Sequence, residues 1–364
     1  MKKVVFFCLI FISFFMVAKA DNFNLEDNIN YDSDGYFLET IIDSDDNYIA
    51  VGFYEPDPFS SLGLIVKYDR NGNVEWEKKF TDVECIRSIA LDSENNIYVL
   101  AWYYGSFSDE RVTEANNGEV KLIKYDKDGK LIYEKFFNDQ YESQFFEYIK
   151  INNDIVYLTG EVITERNFIE DDGEYYIYEA KENNSLVSLS LDGEILSYAI
   201  YGSNQFSKRY YKYSATSSAT MSALSSRLYD IKFDDEGNVY VTGAHGEDFE
   251  VAKFDKVGKK IWDQTYGGSG TDRSSSLVLN NNNELVIAGF TSSKDLDGIE
   301  VNGYSVPLIV IVDKDGNFKK MYTFEESFDS IEALGSGYLA IVRYGTILLR
   351  LDSNFNVKTS KKFI

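Results

Sequence analysis

The stretch KYDRNGNVEW at residues 67–76 recurs along the chain, and this recurrence decides the fold. Further copies are KYDKDGKLIY at 124–133, KFDKVGKKIW at 253–262 and IVDKDGNFKK at 311–320. With weaker copies included, six turn aspartates align: Asp69, Asp126, Asp192, Asp255, Asp313 and Asp352. Their spacing of 39 to 66 residues indicates a repeat architecture.

Apolar and polar residues alternate ahead of each turn, which is the period of a β-strand. The positions one and three residues before the aspartate are apolar in all six copies, for example Tyr68 and Val66. The position between them is basic in four copies: Lys67, Lys124, Lys253 and Arg350. This alternation predicts that these basic side chains face solvent at the rim of a sheet.

A second hairpin precedes each of these copies. It consists of apolar residues, an Asp/Asn/Gly turn and a β-rich run, in 41–54, 89–102, 149–162, 231–244 and 277–290, and more loosely in 331–344. Asn and Gly tolerate the positive φ that tight hairpin turns require. Each repeat therefore predicts four antiparallel strands.

Six repeats of four antiparallel strands predict an all-β fold, a β-propeller, because one such sheet cannot bury both of its faces. The predicted blades are 34–80, 84–137, 143–201, 226–266, 272–324 and 327–364. NFNLE at 22–26 could add a strand to the last blade, and five or seven blades remain open at this stage. An open stack is disfavoured because it would leave sheet edges unprotected.

The first 20 residues have the layout of a secretory signal peptide. Lys2 and Lys3 precede an apolar run of about 15 residues, and Ala18-Lys19-Ala20 offers a cleavage site. The run is shorter than the roughly 20 residues of a membrane-spanning helix. We expect a mature chain of 21–364, folded as a single propeller domain without a transmembrane segment. We expect it to be a monomer, exported to the periplasm, the cell surface or the medium.

Charge limits the classes of partner that the protein can bind, and cysteine content limits the disulfides that it can form. Loss of Lys2, Lys3 and Lys19 would take the net charge from −24 to about −27. We therefore expect no nucleic-acid partner, since such binding depends on basic patches that neutralise phosphates. Cys85 would be the only cysteine left, so no internal disulfide can form. We interpret it as a buried residue of a strand.

One segment breaks the pattern. Residues 203–226 are rich in Ser, Ala and Thr, have no turn signal and include Lys208, Arg209 and Lys212. The sequence predicts a long inserted surface loop, with helix as an option over 215–225. Such a loop could contact a partner.

No catalytic residue is assigned. His245 is the only histidine, so a His-rich zinc site is excluded and we expect a loop residue there. No phosphate-binding or dinucleotide-binding motif is present. A glycosidase needs only two placed carboxylates, but with 60 acidic residues none can be singled out. Clusters such as Glu170-Asp171-Asp172 and Glu247-Asp248 are expected to be solvated loops.

No cofactor or metal site is assigned, and calcium stays a minor option. Three segments begin like a calcium loop: Asp126-Lys-Asp128-Gly129, Asp313-Lys-Asp315-Gly316 and Asp32-Ser-Asp34-Gly35. None continues to the acidic residue at the twelfth position of such a loop. The β-turn alone explains the repeated aspartate.

Two aromatic clusters run beyond the strands: Trp102-Tyr103-Tyr104, and Tyr210-Tyr211 with Tyr213. Exposed Tyr and Trp suit sugar or protein binding. For the first cluster, an extension of a strand is the simpler interpretation.

The segment YGGSGTDRSSSLVLNNNNELVIAGFTSSKDLDG at 266–298 resembles the repeat of exported bacterial β-propeller proteins of the SBBP type. Their repeats read GGSGxD, GxxxVAGxTxSxD and KxDxxGNxxWxxxYGG. The resemblance is best over 228–324, and it implies a propeller and export but no catalytic residue. Quinoprotein-type hairpins match in two copies only, and the sialidase Asp-box spacing does not fit.

The sequence thus favours an exported, non-enzymatic propeller that binds a protein or a glycan, or acts as a scaffold, at the cell envelope. The alternative is a carbohydrate-active enzyme with two carboxylates in the channel. A third option is a role in envelope assembly.

Overall fold

The computed structural model describes residues 35–57, 60–103, 119–137, 143–171, 175–202, 206–212, 221–222, 227–301, 304–324, 328–342 and 347–362. The predicted signal peptide, NFNLE at 22–26 and the Asp32–Asp34 turn lie outside these residues. Within the described residues, no helix is both long and apolar enough to cross a membrane. All regular structure there is β-strand.

The chain divides into two compact units, residues 1–158 with 190–193, and residues 159–189 with 194–364. The strands of the first half are β1 (Gly35–Ile42), β2 (Tyr48–Asp57), β3 (Ser60–Tyr68), β4 (Val74–Lys79), β5 (Cys85–Leu91), β6 (Ile97–Tyr103), β7 (Glu119–Tyr125), β8 (Leu131–Phe136), β9 (Ser143–Asn152), β10 (Ile155–Asp171), β11 (Tyr175–Ser190) and β12 (Ile195–Tyr201).

Fourteen further strands follow among the described residues: β13 (Phe206–Lys212), β14 (Met221–Ser222), β15 (Arg227–Phe233), β16 (Val239–His245), β17 (Asp248–Phe254), β18 (Lys260–Tyr266), β19 (Asp272–Leu279), β20 (Leu285–Thr291), β21 (Val306–Val312), β22 (Phe318–Thr323), β23 (Phe328–Leu334), β24 (Gly337–Val342), β25 (Ile347–Leu351) and β26 (Val357–Lys362).

These strands form six antiparallel sheets in the described part of the chain. Five are four-stranded meanders: β1–β4, β5–β8, β15–β18, β19–β22 and β23–β26. The third combines β9–β12 with β13 and β14. The all-β propeller prediction with six blades is therefore confirmed, and the predicted limits agree with the sheets to within a few residues except in the third, which extends beyond 201 to Ser222.

The third sheet corrects the prediction of a long loop at 203–226. β11 is 16 residues long and pairs with β12 over Asn184–Leu189 and with β13 over Tyr175–Lys181. β13 pairs in turn with β14. The segment therefore contains two strands, and no helix occurs in its described residues. Turn signals did not reveal them, because the partner of β13 is the extended end of an earlier hairpin.

The repeated turn aspartate organises the outer hairpins. Asp126 Oδ1 accepts the main-chain N–H groups of Asp128 and Lys130 at 3.0 and 2.8 Å, and Gly129 takes a φ of 81°. The third copy was aligned wrongly: the N–H of Gly193 donates to Ser190 O, as that of Gly129 donates to Asp126 O. Ser190, two residues before the predicted Asp192, therefore holds the equivalent position.

The basic residues between the alternating apolar positions were also interpreted wrongly. Lys67, Lys124 and Lys253 are only 5, 7 and 8% exposed, whereas Arg350 is exposed as predicted. Each lysine lies on the third strand of its sheet and donates to a main-chain carbonyl in the last turn of the next sheet. The acceptors are Lys127 O at 3.1 Å, Leu191 O at 3.1 Å and Lys314 O at 3.4 Å. We call this contact the lysine bridge.

Further groups neutralise and cover each bridging ammonium. Lys67 Nζ lies 3.2 Å from Asp43, and Lys124 Nζ lies 3.7 Å from Asp92, both aspartates being in the first turn of the same sheet. Lys253 Nζ lies 5.1 Å from the ring centroid of Tyr240, which supplies a cation–π contact. A buried ammonium is tolerated because it has such partners.

Apolar side chains fill the space between successive sheets. Val51, Ile65, Ile89 and Val99 belong to one cluster shared by the first two sheets, and Val251, Ile287 and Val310 to another shared by the fourth and fifth. Burial of such side chains contributes roughly 25 cal/mol per Å² of apolar area. The lysine bridges lie beside these clusters and fix which turn meets which strand.

Removal of one bridge should destabilise the fold. Lys67→Met leaves Asp43 buried without its cation, and we expect a loss of about 3 kcal/mol or more in the free energy of unfolding. Urea denaturation followed by tryptophan fluorescence measures it. The matched control is Arg350→Met, at the equivalent exposed position, for which we expect a change within about 0.5 kcal/mol. Equal effects of the two substitutions would contradict the assignment of the bridge.

Candidate ligand groove between the fifth and sixth sheets

The fifth sheet lacks the lysine bridge. Ile311 occupies the position of Lys67, Lys124 and Lys253, as its pairing with Val286 across β20 and β21 shows. Asn280 replaces the aspartate of the first turn and accepts the N–H groups of Asn282 and Glu284. No ammonium therefore spans from this position to the last turn of the sixth sheet.

Two more substitutions accompany this loss. In the first and fourth sheets, Trp76 and Trp262 lie against the turn glycines Gly129 and Gly316 of the next sheet. In the fifth sheet, Lys320 pairs with Ile311 and thus takes the tryptophan position. In the sixth sheet, Phe355 takes the glycine position and keeps the positive φ, 63°.

Phe355 anchors an aromatic cluster at this junction. Its ring stacks on Tyr338 with centroids 4.6 Å apart and lies 5.0 Å from the ring of Tyr322. Lys320 Nζ lies 4.4 Å from the centroid of Tyr322. The cluster fills the base of the junction with apolar surface, and the unbridged space beside it stays open.

The open space is a groove of about 530 Å³ in the second unit. It is lined by Asn280, Asn281, Asn282, Glu284, Ile311, Lys319, Lys320, Tyr322, Ala333, Gly335, Ser336, Gly337, Tyr338 and Ser353. Ligand sites are concave and commonly of this size. Ile311 and Ser353 lie where a bridge would begin and end.

The polar groups of the groove are held in place by local hydrogen bonds. Asn281 Nδ2 donates to Gly335 O at 2.8 Å, and Asn280 Nδ2 donates to Glu284 Oε2 at 2.9 Å. Lys319 pairs with Asp313 at 3.1 Å. Amides, hydroxyls and ammonium groups next to a tyrosine ring can hydrogen-bond a polyol and cover its apolar face. This arrangement suits a polar ligand such as a sugar.

His245 lies elsewhere, and its predicted loop position is wrong. It ends strand β16, is 7% exposed, and burial lowers its pKa. Glu250 on β17 lies nearby, 1% exposed, and Asn184 Nδ2 donates to its carboxyl group. A Cβ at Gly202 would lie 2.7 Å from His245 Nδ1 and 3.2 Å from Glu250 Oε1. Burial raises the pKa of Glu250 to about 8.

The acids of the first strands take structural roles in the described residues. Glu39 on β1 accepts Ser88 Oγ at 2.6 Å, the Ile89 N–H at 3.0 Å and Lys150 Nζ at 2.8 Å. In the second unit, Asp230 accepts Ser276 Oγ at 2.9 Å and the Leu277 N–H at 3.0 Å. Both acids follow a β-bulge, so the same device joins neighbouring sheets in each unit.

The Asp-x-Asp-Gly turns are explained by turn geometry where they are described. Asp313 Oδ1 accepts the N–H groups of Asp315 and Asn317. The hydrogen bond from Asn317 is the largest of the effects that lower the pKa of Asp313. Asp128 pairs with Lys127 at 3.0 Å. The Oδ1 atoms of Asp126 and Asp313 are therefore engaged by the turn, and Asp128 is engaged by a lysine.

The remaining candidates fall on strands or outside the described residues. Cys85 begins β5, is half-buried rather than buried, and burial raises its pKa to about 11. Trp102 lies within β6 and donates to Phe146 O at 2.8 Å, so the strand interpretation is confirmed for it. Tyr104, Asp172 and Tyr213 lie outside the described residues. β10 continues through Glu170 and Asp171, so the prediction of a loop at these two residues is wrong.

No protein-family model matches the sequence, and no curated protein matches it significantly. Among solved structures, the chain is similar to Sqt1 of Saccharomyces cerevisiae, with 11% identity over 88% of this chain and 72% of that one and a TM-score of 0.47. A Bacteroides caccae protein of unknown function gives 12% identity, 82 and 90% coverage and a TM-score of 0.41.

The Neurospora crassa Pan2 WD40 domain gives 11% identity and a TM-score of 0.37. The match covers 61% of this chain and only about half, 51%, of that one. At such values the likeness carries no argument about function, and the fold assignment rests on the six sheets themselves.

The buried Glu250 should make stability depend on pH. Its pKa is about 8 in the folded protein, against 4.5 for an ordinary glutamate, so the native state binds the extra proton between these values. The contribution to stability is therefore complete below about pH 4.5 and is lost as the pH rises towards 8, by at most about 1.4 kcal/mol per pH unit.

Glu250→Gln removes this titration. We expect the variant to gain stability relative to the wild type as the pH rises from 5 to 8, measured by urea unfolding at each pH. Glu300→Gln, which changes an exposed carboxyl, serves as the control. A difference between wild type and Glu250→Gln that does not vary with pH would show that Glu250 is not a buried neutral acid.

Proposed function

We propose that the protein is an exported, non-enzymatic β-propeller module that binds a glycan in the groove between its fifth and sixth sheets. The observation that carries this proposal is the missing lysine bridge. Where Lys67, Lys124 and Lys253 join one sheet to the next, Ile311 leaves a polar groove instead.

The lining favours a sugar as the ligand. Asn282, Ser336 and Ser353 are exposed and offer amide and hydroxyl groups, while Tyr322 offers part of a ring. A sugar needs both, because its hydroxyls require hydrogen-bond partners and its C–H face requires an apolar surface. A flat protein interface would not need a recess of about 530 Å³.

The charge of the groove favours an acidic sugar. Lys319 is paired with Asp313, so Lys320 is the lining ammonium group that has no carboxylate partner among the described residues. Its exposed ammonium group can form a charge-assisted hydrogen bond with an anionic ligand. We therefore favour a glycan that carries carboxylate groups.

The same lining supports binding rather than hydrolysis. Glycoside hydrolysis uses a pair of carboxyl groups across the scissile bond. Glu284 is the one carboxyl among the described lining residues, and its Oε2 already accepts Asn280 Nδ2. The alternative, a carbohydrate-active enzyme, has no such support in this groove.

Calorimetric titration tests the proposal. Purified residues 21–364 should bind acidic oligosaccharides more tightly than neutral ones of the same length. Lys320→Ala should weaken acidic-glycan binding about tenfold, the effect of about 1.4 kcal/mol. Lys130→Ala, an exposed lysine of the second sheet, is the matched control. Equal loss in both variants would contradict binding in the groove, and released reducing ends would show an enzyme instead.

A second variant closes the groove without removing lining charges. Asn280→Asp with Ile311→Lys builds the bridge of the other sheets into the fifth one. We expect loss of glycan binding with a thermal midpoint at or above that of the wild type. A variant that folds and still binds would place the ligand elsewhere, and a wild type that binds no glycan would leave a protein partner as the working hypothesis.

Export is part of the proposal and has a direct test. If residues 1–20 are a signal peptide, the protein recovered from an exporting bacterial host should begin at Asp21, as the intact mass determines. Ala20→Leu should impair cleavage at this site. A recovered protein that retains residues 1–20 would contradict the assignment.

A further inference from the structure

The filled junctions show which groups hold a bridging ammonium. In the first sheet, Lys67 Nζ lies 3.1 Å from Lys127 O and 3.2 Å from Asp43 Oδ2. The second sheet has the same two kinds of contact, with a main-chain carbonyl of the next sheet and with an aspartate of its own first turn. An ammonium at this place therefore binds two oxygen atoms that belong to different turns.

At the junction of the fifth and sixth sheets, the main-chain oxygen of this pair is present without a donor. The residue after the turn aspartate supplies it in the first junction, where Lys127 follows Asp126. In the sixth sheet the turn aspartate is Asp352, which accepts two N–H groups of its turn, so Ser353 holds the equivalent position. Among the described residues, no N–H or O–H group donates to Ser353 O.

The carboxyl group of the pair is also present, on a different residue. In the first sheet, Asp43 Oδ2 accepts Asn47 Nδ2 at 3.0 Å. In the fifth sheet the two groups are exchanged, since Asn280 Nδ2 donates to Glu284 Oε2 at 2.9 Å. The turn positions are the same, because in both turns the Oδ1 of the first residue accepts the N–H of the last. The first turn of the fifth sheet therefore keeps a carboxylate.

Glu284 has an oxygen atom available for a ligand. It lines the groove and is half-buried, and among the described residues only its Oε2 accepts a hydrogen bond. The neighbouring Lys319 pairs with Asp313, and no described lysine or arginine forms an ion pair with Glu284. A carboxylate without a basic partner attracts a cationic group, and a hydrogen bond to such a group is stronger than a neutral one.

The groove gives a ligand access to both acceptors. Glu284 and Ser353 line the same recess of about 530 Å³. Ile311 lies where a bridging lysine would begin, and its side chain has no hydrogen-bond donor. A ligand that enters the recess can therefore bring its own ammonium group to the two oxygen atoms.

We propose that the bound glycan carries a free amino group, and that its ammonium form takes the place of the missing lysine between Glu284 and Ser353 O. This inference rests on the function proposed above and narrows its ligand. With its carboxylate at Lys320, the ligand is a zwitterionic glycan of uronic acids and unacetylated amino sugars. An N-acetylated amine does not suffice, because its amide is neutral and offers a single N–H donor.

A lysine side chain of a protein partner would offer the same ammonium group. The size of the groove favours the sugar, because a recess of about 530 Å³ holds a whole small ligand rather than one alkyl chain. The exposed Asn282 and Ser336 add amide and hydroxyl groups that can pair with the hydroxyls of a sugar ring.

Calorimetric titration with a matched pair of oligosaccharides tests the inference. One alternates glucuronate with glucosamine, and the other, of the same length, alternates glucuronate with N-acetylglucosamine. At about pH 6 the free amines are protonated. We expect residues 21–364 to bind the amine form about tenfold more tightly than the N-acetylated form.

Two substitutions assign this preference to a carboxylate. Glu284→Gln keeps the shape of the side chain, and we expect it to remove the preference for the amine form. The matched control is Glu236→Gln in the first turn of the fourth sheet. Glu236 likewise accepts an asparagine amide of its own turn, but Lys253 fills that junction. The control should retain the full preference, and the thermal midpoint shows whether each variant is folded.

The outcomes separate this inference from the function on which it rests. Equal affinity of the wild type for the two oligosaccharides overturns the ammonium position and leaves glycan binding in place. A preference that survives Glu284→Gln puts the amine elsewhere and overturns the inference as well. If neither oligosaccharide binds, the proposed function and this inference fail together. Binding of a lysine-rich peptide in that case, weakened by Glu284→Gln, would assign the ammonium position to a protein partner.

Discussion

The structure depends on a buried ammonium group that reaches from one sheet to the next. Lys67, Lys124 and Lys253 each place their Nζ atom against a carbonyl oxygen in the last turn of the following sheet. Apolar packing alone does not prevent one sheet from sliding along the next, because the hydrophobic effect is not directional. A hydrogen bond from a charged group to one main-chain oxygen does have direction, and it therefore fixes the register between sheets.

Among the described sheets, the fifth has no polar side chain at this position of its third strand. The candidate groove lies at the junction between this sheet and the next. In the third sheet, Ser188 replaces the lysine and donates to Val257 O at 2.6 Å. This carbonyl lies one residue beyond the position that the lysines use, so a shorter polar group still contacts the last turn of the next sheet. In the fifth sheet, Ile311 cannot donate at all. At this junction the ring of Phe355 stacks on Tyr338 instead.

The fold could be predicted from the sequence because its signals are local. The turn aspartate recurs in five of the six repeats, the two-residue period and the Asp/Asn/Gly turns recur throughout, and each acts within a few residues. The candidate groove could not be predicted from the sequence, because it depends on contacts between residues about 60 positions apart in the chain, such as that of Lys67 Nζ with Lys127 O. The alternating pattern predicted that these lysines face solvent. No residue close to them in sequence indicates that a main-chain carbonyl of the next sheet accepts a hydrogen bond from them. The third turn was misaligned for a related reason. Asp192 resembles the repeated aspartate in sequence, but it lies two residues after Ser190, which holds the equivalent position.

Lysine-selective chemical labelling tests the central claim most directly. Native protein is treated with a small amine-reactive reagent, and the modification rate at each lysine is read by mass spectrometry. The account predicts that Lys67, Lys124 and Lys253 stay unmodified until the protein unfolds, while exposed lysines such as Lys130 and Lys320 react at once. If the three bridging lysines react as fast as Lys130, they face solvent, and the lysine bridge does not hold the sheets together.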